Sequence, residues 1–102
     1  MTDRISADTV IEMLKDCPAP RVTEESINAK IDHHSFHVDN LGSAKITVCF
    51  IKMLNGLVVV GHSAAVSPEN YKAKIGKCYA YDDAYRQIWA HEEYLLREQL
   101  SR

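Results

Sequence analysis

The sequence predicts a small α+β domain, in which an antiparallel β-hairpin or small sheet packs with two short N-terminal helices and a long C-terminal helix. Three observations support this fold class. Asn55-Gly56 separates two apolar runs, and this dipeptide is the strongest short-range signal for a two-residue hairpin turn. Ser67-Pro68-Glu69 is typical of a helix start, and apolar residues then recur mostly at three- and four-residue steps. A chain of 102 residues suits one domain with a modest core.

The N-terminal part predicts two short helices separated by a proline linker. Residues 7–16 carry an amphipathic pattern, and Pro18-Ala19-Pro20 ends it because proline cannot continue the hydrogen-bond ladder. Thr23 then opens a second helix as its capping residue, with Ile27 and Ile31 on the buried side. We therefore expect a single domain over 1–102, in which residues 1–21 form the first helix and linker.

Residues 32–43 leave two interpretations open. Ser35 to Val38 alternates polar and apolar side chains, which favours a short edge strand, and Asp39 to Ser43 has the composition of a turn. Alternatively, the whole stretch is a mobile loop near a ligand site.

With a two-residue turn at Asn55-Gly56, the predicted pairs are Leu54 with Leu57, Lys52 with Val59, Phe50 with Gly61, and Val48 with Ser63. One face would then carry Ile46, Val48, Phe50, Lys52, Leu54, Leu57, Val59 and Ala65, and the other Cys49, Ile51, Met53, Val58, Val60, Ala64 and Val66. Neither face is polar, although a half-exposed hairpin should alternate. A second subunit is the simplest cover for the extra apolar face, so we expect a homo-oligomer.

The C-terminal helix is expected to start at Pro68. Its apolar positions are Tyr71, Ile75, Cys78, Tyr79, Tyr85, Ile88 and Trp89. Gly76 interrupts the run, where a glycine often permits close approach of another backbone such as the hairpin. The register shifts around Ala90 to Glu92, so the segment is either one bent helix or two.

Composition restricts the class of protein. With 12 basic and 14 acidic residues, the chain lacks the basic excess of a nucleic-acid-coating protein, so a nucleic-acid partner is disfavoured. The three scattered cysteines are typical of free thiols in a reducing compartment, and no apolar run approaches the length of a membrane span. We therefore expect a cytoplasmic protein with no membrane association and no cofactor.

Two constellations point weakly to metal binding or catalysis. His33-His34-x-x-His37 lacks metal-ligand spacing, because neighbouring histidines point in different directions on a helix or a strand. Cys49 and His62 lie opposite each other in the predicted hairpin, but an apolar sheet face does not favour a reactive thiolate. Enzyme activity is therefore disfavoured, and no catalytic residue is assigned.

The predicted strand-to-helix junction is a better candidate for binding. A helix N-terminus suits a phosphate, and the nearby Asn70 amide and Tyr71 ring could bind a base or ribose. Cations are available on the helix, although four basic residues are more often a solvated face: Lys72, Lys74, Lys77 and Arg86. The helix tyrosines and Trp89 predict a core and an oligomer interface, or a platform for nucleotide stacking.

A set of short motifs resembles a widespread family of small phage and prophage proteins. The motifs are Asn55-Gly56, Val60-Gly61-His62-Ser63-Ala64, Ser67-Pro68-Glu69-Asn70-Tyr71, Ile75-Gly76, Ile88-Trp89 and Glu92-x-Tyr94-Leu95-Leu96-Arg97-Glu98. The resemblance runs from about Val22 to Leu100, so residues 22–102 would be the family core. Two positions depart from it, because Ala90 stands where relatives usually have proline and Glu93 where they usually have glycine. Residues 32–43 also match poorly.

The family is also similar to the Thoeris anti-defence proteins. That resemblance implies a phage anti-defence protein in the host cytoplasm that sequesters a cyclic ADP-ribose-type signal or a related cyclic nucleotide. It implies Asn70, Tyr71 and Arg86 as ligand-binding residues, with Ser63 in support and Trp89 as an aromatic ring for stacking. The alternative is a phage accessory protein that binds and inhibits a host protein without a small ligand.

Overall fold

The computed structural model describes residues 20–65 and 71–102. The elements follow in the order α1 (Glu24–Asn28), β1 (Ile31–Leu41), β2 (Ala44–Met53), β3 (Val58–Ala64) and α2 (Ala73–Leu100). The three strands form one antiparallel sheet in the order β1-β2-β3. Helix α2 packs on one face of this sheet, called the inner face below, and contacts β2 and β3. The predicted α+β class is confirmed, and the helix predicted over residues 7–16 lies outside the described residues.

The short helix α1 begins as the sequence predicts. The Ser26 amide donates to the Thr23 side chain at 3.0 Å, and the Thr23 amide donates to the Ser26 hydroxyl at 3.0 Å. This reciprocal capping satisfies two amides that a helix start leaves unpaired. Ile27 is buried, but Ile31 was wrongly placed on this helix because α1 ends at Asn28 and Ile31 opens β1.

Residues 32–43 belong to an edge strand and its turn. Strand β1 extends over the whole of Ile31–Leu41, and Leu41 pairs with Ala44 across a two-residue connection. Gly42 has a φ of +63°, which a hairpin turn of type II′ requires at its first central position. The edge-strand interpretation is confirmed with a longer strand than expected, and the mobile-loop alternative is wrong.

The structure contains the predicted hairpin, formed by β2 and β3, but its turn differs from the prediction. The Met53 amide donates to the Leu57 carbonyl at 2.8 Å, and the Gly56 amide donates to the Met53 carbonyl at 2.9 Å. Gly56 has a φ of +94° whereas Asn55 has a negative φ. A two-residue type I′ turn would need positive φ at both residues, so the loop has three residues, with the glycine as the left-handed bulge position.

The longer turn shifts the strand register by one residue. Val59 pairs with Ile51, and Gly61 pairs with Cys49, rather than with Lys52 and Phe50. Because successive side chains point to opposite faces, this shift exchanges the two faces of β3. Val59 is therefore buried on the inner face, whereas Val58 is on the outer face and is 50% exposed.

The corrected register leaves apolar side chains on both faces of the β2–β3 hairpin. The outer face carries apolar side chains such as Phe50, Val58 and Val60, but also Lys52 and His62. No helix among the described residues covers this face. The hairpin thus keeps an apolar outer face, with Lys52 and His62 as exceptions, and the homo-oligomer stays a prediction.

The core lies between the inner face and α2. Its buried residues are Ile27, Cys49, Ile51, Met53, Val59, Ala80, Ala84 and Ile88. A Cβ atom on Gly61 would overlap the Ala80 carbonyl oxygen and the Ala84 amide nitrogen, so the helix backbone rests directly on β3. Three of the apolar positions predicted along the helix are exposed: Ile75, Cys78 and Tyr79.

Helix α2 begins later than expected. Lys72 is the extended N-cap residue with φ −134° and ψ 123°, so the prediction of a helix starting at Pro68 was wrong. The helix then continues unbroken past Ala90 to Leu100. No helix in the described ranges is long and apolar enough to cross a membrane.

Tyr85 links α2 to α1 by hydrogen bonds from its hydroxyl. Its hydroxyl donates to Asn28 Oδ1 at 2.9 Å and lies 3.3 Å from the Glu24 carbonyl oxygen. Burial, with smaller contributions from the Glu24 carboxylate and Tyr81, raises the pKa of Tyr85 to about 12. The folded state therefore disfavours the phenolate.

Replacing Gly61 by Ala should destabilise the protein by roughly 2–3 kcal/mol, because the added methyl group meets helix backbone that cannot rotate away. Urea unfolding measures this loss. The matched control is Val60→Ile, which enlarges a half-exposed side chain on the outer face of the same strand and should change stability little. Equal stability of the two variants would contradict the close helix–strand contact.

Tyr85 should make stability depend on alkaline pH. Its pKa is about 12 in the folded state against 10.0 as the ordinary value, so its stabilising contribution is complete below pH 10 and is lost as the pH rises toward 12. We expect the Tyr85→Phe variant to lose less unfolding free energy than the wild type between pH 9 and pH 11.5. Urea unfolding of each protein at the two pH values measures the loss. Equal losses in the two proteins would contradict the raised pKa of Tyr85.

Candidate functional site

A cavity of about 270 Å³ opens where the start of β2, the end of β3 and the start of α2 meet. Its lining residues are Lys45, Thr47, Ser63, Ala64, Ala65, Tyr71, Lys72, Ile75, Gly76 and Tyr79. The two hairpin strands supply one wall, and the segment leading into α2 supplies the other. It is called the junction cavity below.

The junction cavity is cationic. Lys45 and Lys72 line it, and its described lining residues include no carboxylate, although the chain as a whole has a net charge of −2. The Lys45 ammonium lies 5.1 Å from the centre of the Tyr71 ring, within the range of a cation–π contact. The contact thus holds the lysine side chain beside the cavity, where no described residue supplies a neutralising carboxylate.

The floor of the cavity depends on a glycine. The Ser63 hydroxyl donates to the Gly76 carbonyl at 2.7 Å, which fixes α2 to β3 at this point. A Cβ atom on Gly76 would lie 2.7 Å from Thr47 Oγ1, so a larger residue would displace the threonine or fill the cavity. The expectation that Gly76 permits close approach of the hairpin is confirmed.

Thr47 is the polar group that the fold leaves unsatisfied. Its side chain is 1% exposed, and Oγ1 has no hydrogen-bond partner among the described residues. A buried hydroxyl without a partner costs about 1–3 kcal/mol. A ligand hydroxyl or a water that reached Thr47 from the cavity would recover part of that cost.

The residues implied by resemblance fall in different places. Ser63 and Tyr71 both line the junction cavity. Asn70 lies outside the described residues. Arg86 is exposed on α2, ten residues from Gly76, which corresponds to about 15 Å along the helix axis. Trp89 is half-buried against the hydrophobic core, so it lies outside this cavity as well.

Sequence reasoning missed Lys45 and Thr47, the two cavity residues that β2 supplies. The sequence contained a signal for them, because these two polar residues stand two positions apart at the start of a strand and share a face with Cys49. The polarity of this part of the face was not used to predict a site. The predicted register also assigned Ser63 and Cys49 to different faces, whereas both belong to the inner face.

The structure separates the predicted cysteine–histidine pair. Cys49 is buried on the inner face opposite Gly61, and burial raises the pKa of its thiol. His62 pairs with Val48 on the outer face, where its Nδ1 lies 3.6 Å from Asp83 Oδ2. The prediction that Cys49 and His62 lie opposite each other was wrong, because the three-residue turn moved His62 to the other face.

The histidine cluster is also divided. In β1, His33 and His37 are on the outer face, and His34 is on the inner face, where its ring lies 5.1 Å from the Tyr81 ring. In the part of the chain that the structure describes, no group of three or more possible ligands lies close enough to hold a metal ion.

A second cavity of about 240 Å³ lies at the tip of the hairpin beside the later half of α2. Its walls are largely apolar, with Met53, Leu57 and Ile88 among them. The Lys30 ammonium there is neutralised by Glu92 at 2.6 Å. This cavity therefore differs from the junction cavity in having its lysine paired with a carboxylate among the described residues.

Comparison with known proteins supplies the family. The model of the phage protein (N4 Gp49/phage Sf6 gene 66) family matches residues 22–100. This range contains every described helix and strand and all the lining residues of the junction cavity. No curated protein and no solved structure matches the chain. The chain belongs to the phage protein family of N4 Gp49 and phage Sf6 gene 66.

Proposed function

We propose that the protein is a phage anti-defence binding protein that sequesters a cyclic ADP-ribose-type or related cyclic nucleotide immune signal in the junction cavity. The observation that carries this proposal is the combination of two lysines and two tyrosines around one cavity, with no carboxylate among the described lining residues. Phosphates carry negative charge, and nucleotide bases and riboses offer flat or hydroxylated surfaces. These are the groups that such a lining binds.

In this proposal, Lys45 and Lys72 contact the phosphates of the ligand. Lys45 exchanges its contact with the Tyr71 ring for a phosphate oxygen, which frees the ring to stack on a base. Thr47 hydrogen-bonds a ribose hydroxyl and thereby satisfies its buried oxygen. Asn70 stays a prediction from resemblance, and Arg86 and Trp89 are not part of the proposed contacts.

The protein acts by binding and not by turnover. Sequestration requires the dissociation constant to lie below the concentration of the signal in the host cytoplasm. A cavity built on strands and a long helix favours this, because little ordering accompanies binding. We propose a homo-oligomer for the same protein, since Phe50, Val58 and Val60 are left partly exposed on the outer face.

Binding should depend on the cavity lysines. Isothermal titration against a panel of cyclic nucleotides and ADP-ribose isomers should give heat with at least one of them. Lys45→Ala and Lys72→Ala should each weaken that binding roughly tenfold or more, because a hydrogen bond to a charged group contributes about 1.5–3 kcal/mol. The matched control is Lys74→Ala, which removes the same charge close to the cavity without lining it and should bind as the wild type does.

Three outcomes would contradict the proposal. One is an absence of heat with the whole panel at protein concentrations of roughly tens of micromolar. Another is equal weakening by the Lys74 control, which would indicate general attraction rather than a site. The third is chemical change of the ligand during incubation with the protein, detected by chromatography, because a sequestering protein returns its ligand intact.

Gly76 offers a test of the cavity that leaves its charge unchanged. Gly76→Ala should weaken ligand binding, because the methyl group reaches Thr47 and occupies cavity space. Ala normally stabilises a helix by about 1 kcal/mol relative to Gly, but here thermal unfolding should show no gain. Adding Thr47→Ala to the same chain should recover that gain by removing the contact. A simple stabilisation by Gly76→Ala alone would contradict the close approach.

A second function is favoured by the exposed side of α2. Tyr94 and Leu100 are 68% and 59% exposed, and large exposed apolar side chains are frequent where proteins dock. The alternative is therefore a phage accessory protein that binds and inhibits a host protein without a small ligand. A stoichiometric host protein that Tyr94→Ser no longer retains, together with no ligand heat, would favour it over sequestration.

A further inference from the structure

The two edges of the sheet differ in whether side chains occupy their backbone hydrogen-bonding groups. At the β3 edge, the His62 amide donates to Asp83 Oδ2 at 3.0 Å, and Gln87 Nε2 donates to the Val60 carbonyl at 2.7 Å. Asp83 and Gln87 are one turn apart on α2, so a single helix face occupies the hydrogen-bonding groups that this edge would otherwise offer to another strand.

The β1 edge has no comparable cover from the residues that the structure describes. Helix α2 reaches the side chains of this strand, with Tyr81 beside His34 and the Lys77 ammonium 5.6 Å from the Phe36 ring. Among the described residues, however, no side chain is hydrogen-bonded to the β1 backbone between His33 and Val38. This segment also contains no lysine or proline, which are usual protections of an edge strand, and the register irregularity of β1 lies before it, between Ile31 and His33.

We propose that the β1 edge pairs with β1 of a second copy of this chain, antiparallel about a two-fold axis at Phe36, to form a continuous six-stranded sheet. In this register Phe36 faces Phe36 of the second copy on the inner face, and His33 faces Asp39 of the second copy on the outer face. Both pairs are favourable in antiparallel sheets. The symmetry repeats the His33–Asp39 pair on each side of the axis.

The side-chain pattern of β1 favours this register, and it favours a second copy of the chain as the partner. A shift of one residue would place inner-face side chains against outer-face ones. A shift of two residues would place His37 against itself or against His33, and it would separate Asp39 from His33. The strand is therefore complementary to itself in one alignment, and this pairing does not depend on the proposed ligand.

A charge exchange across the axis tests the proposal in the full-length protein. Sedimentation should show a concentration-dependent dimer for the wild type. His33→Asp should raise the dimer dissociation constant roughly tenfold, because it places two carboxylates together twice per dimer. His33→Asp combined with Asp39→Lys should restore dimerisation, since each new aspartate then faces a new lysine. The control Glu93→Lys changes an exposed charge on α2 by the same amount as Asp39→Lys and should leave the constant unchanged.

Hydrogen exchange distinguishes edge pairing from other assemblies. The β1 amides that point away from β2 should exchange slowly where the dimer forms and quickly after dilution to the monomer. A monomer at all concentrations, or a dimer in which the charge exchange fails to restore affinity, would overturn the proposal. Slow exchange of these amides in a diluted monomer would also overturn it, because the edge would then be covered within one chain.

Discussion

The structure depends on one close contact, that between the backbone of α2 and strand β3 at Gly61. The absence of a side chain at Gly61 and the small side chains of Ala80 and Ala84 let the helix rest on the sheet. Once the helix is at this distance, Asp83 and Gln87 reach the β3 edge, and Ser63 reaches the carbonyl of Gly76. The core, the covered β3 edge and the junction cavity therefore all depend on the distance between α2 and β3.

The same contact determines where the cavity opens. Close to Gly61 the two layers leave no space. Toward the start of the helix, Gly76 again lies close to the sheet, because a Cβ atom there would lie 2.7 Å from Thr47 Oγ1. The cavity opens beside this second contact, and Lys45 and Tyr71 line it. Glycine thus permits close approach of the helix at both positions, and a side chain at Gly76 would also reach into the cavity.

Local signals in the sequence predicted part of this fold. The Thr23 cap, the existence of the hairpin and its glycine turn were accessible because each depends on a few neighbouring residues. The register was not, because Asn55-Gly56 suits a two-residue turn and also a three-residue turn with glycine in the bulge position. The buried face of α2 was predicted in part, since Ile88 was among its apolar positions. Ala80 and Ala84 were missed because alanine carries no strong hydrophobic signal, whereas large apolar residues such as Ile75 are exposed. Of the site, Ser63 and Tyr71 were identified, and Lys45 and Thr47 required the correct register.

The three-residue loop at the hairpin tip has a consequence for how the family can vary. The length of this loop determines which face of β3 points toward α2, since side chains alternate along a strand. Loss of a single residue between Met53 and Val58 would turn β3 over, bringing Val60 and His62 beneath α2 and sending Gly61 to the opposite side. The chemical identity of Leu54, which is exposed, is far less constrained. Among relatives that keep this architecture, the residue at Leu54 should therefore vary, while the glycine at Gly56 and the number of residues in the loop stay fixed.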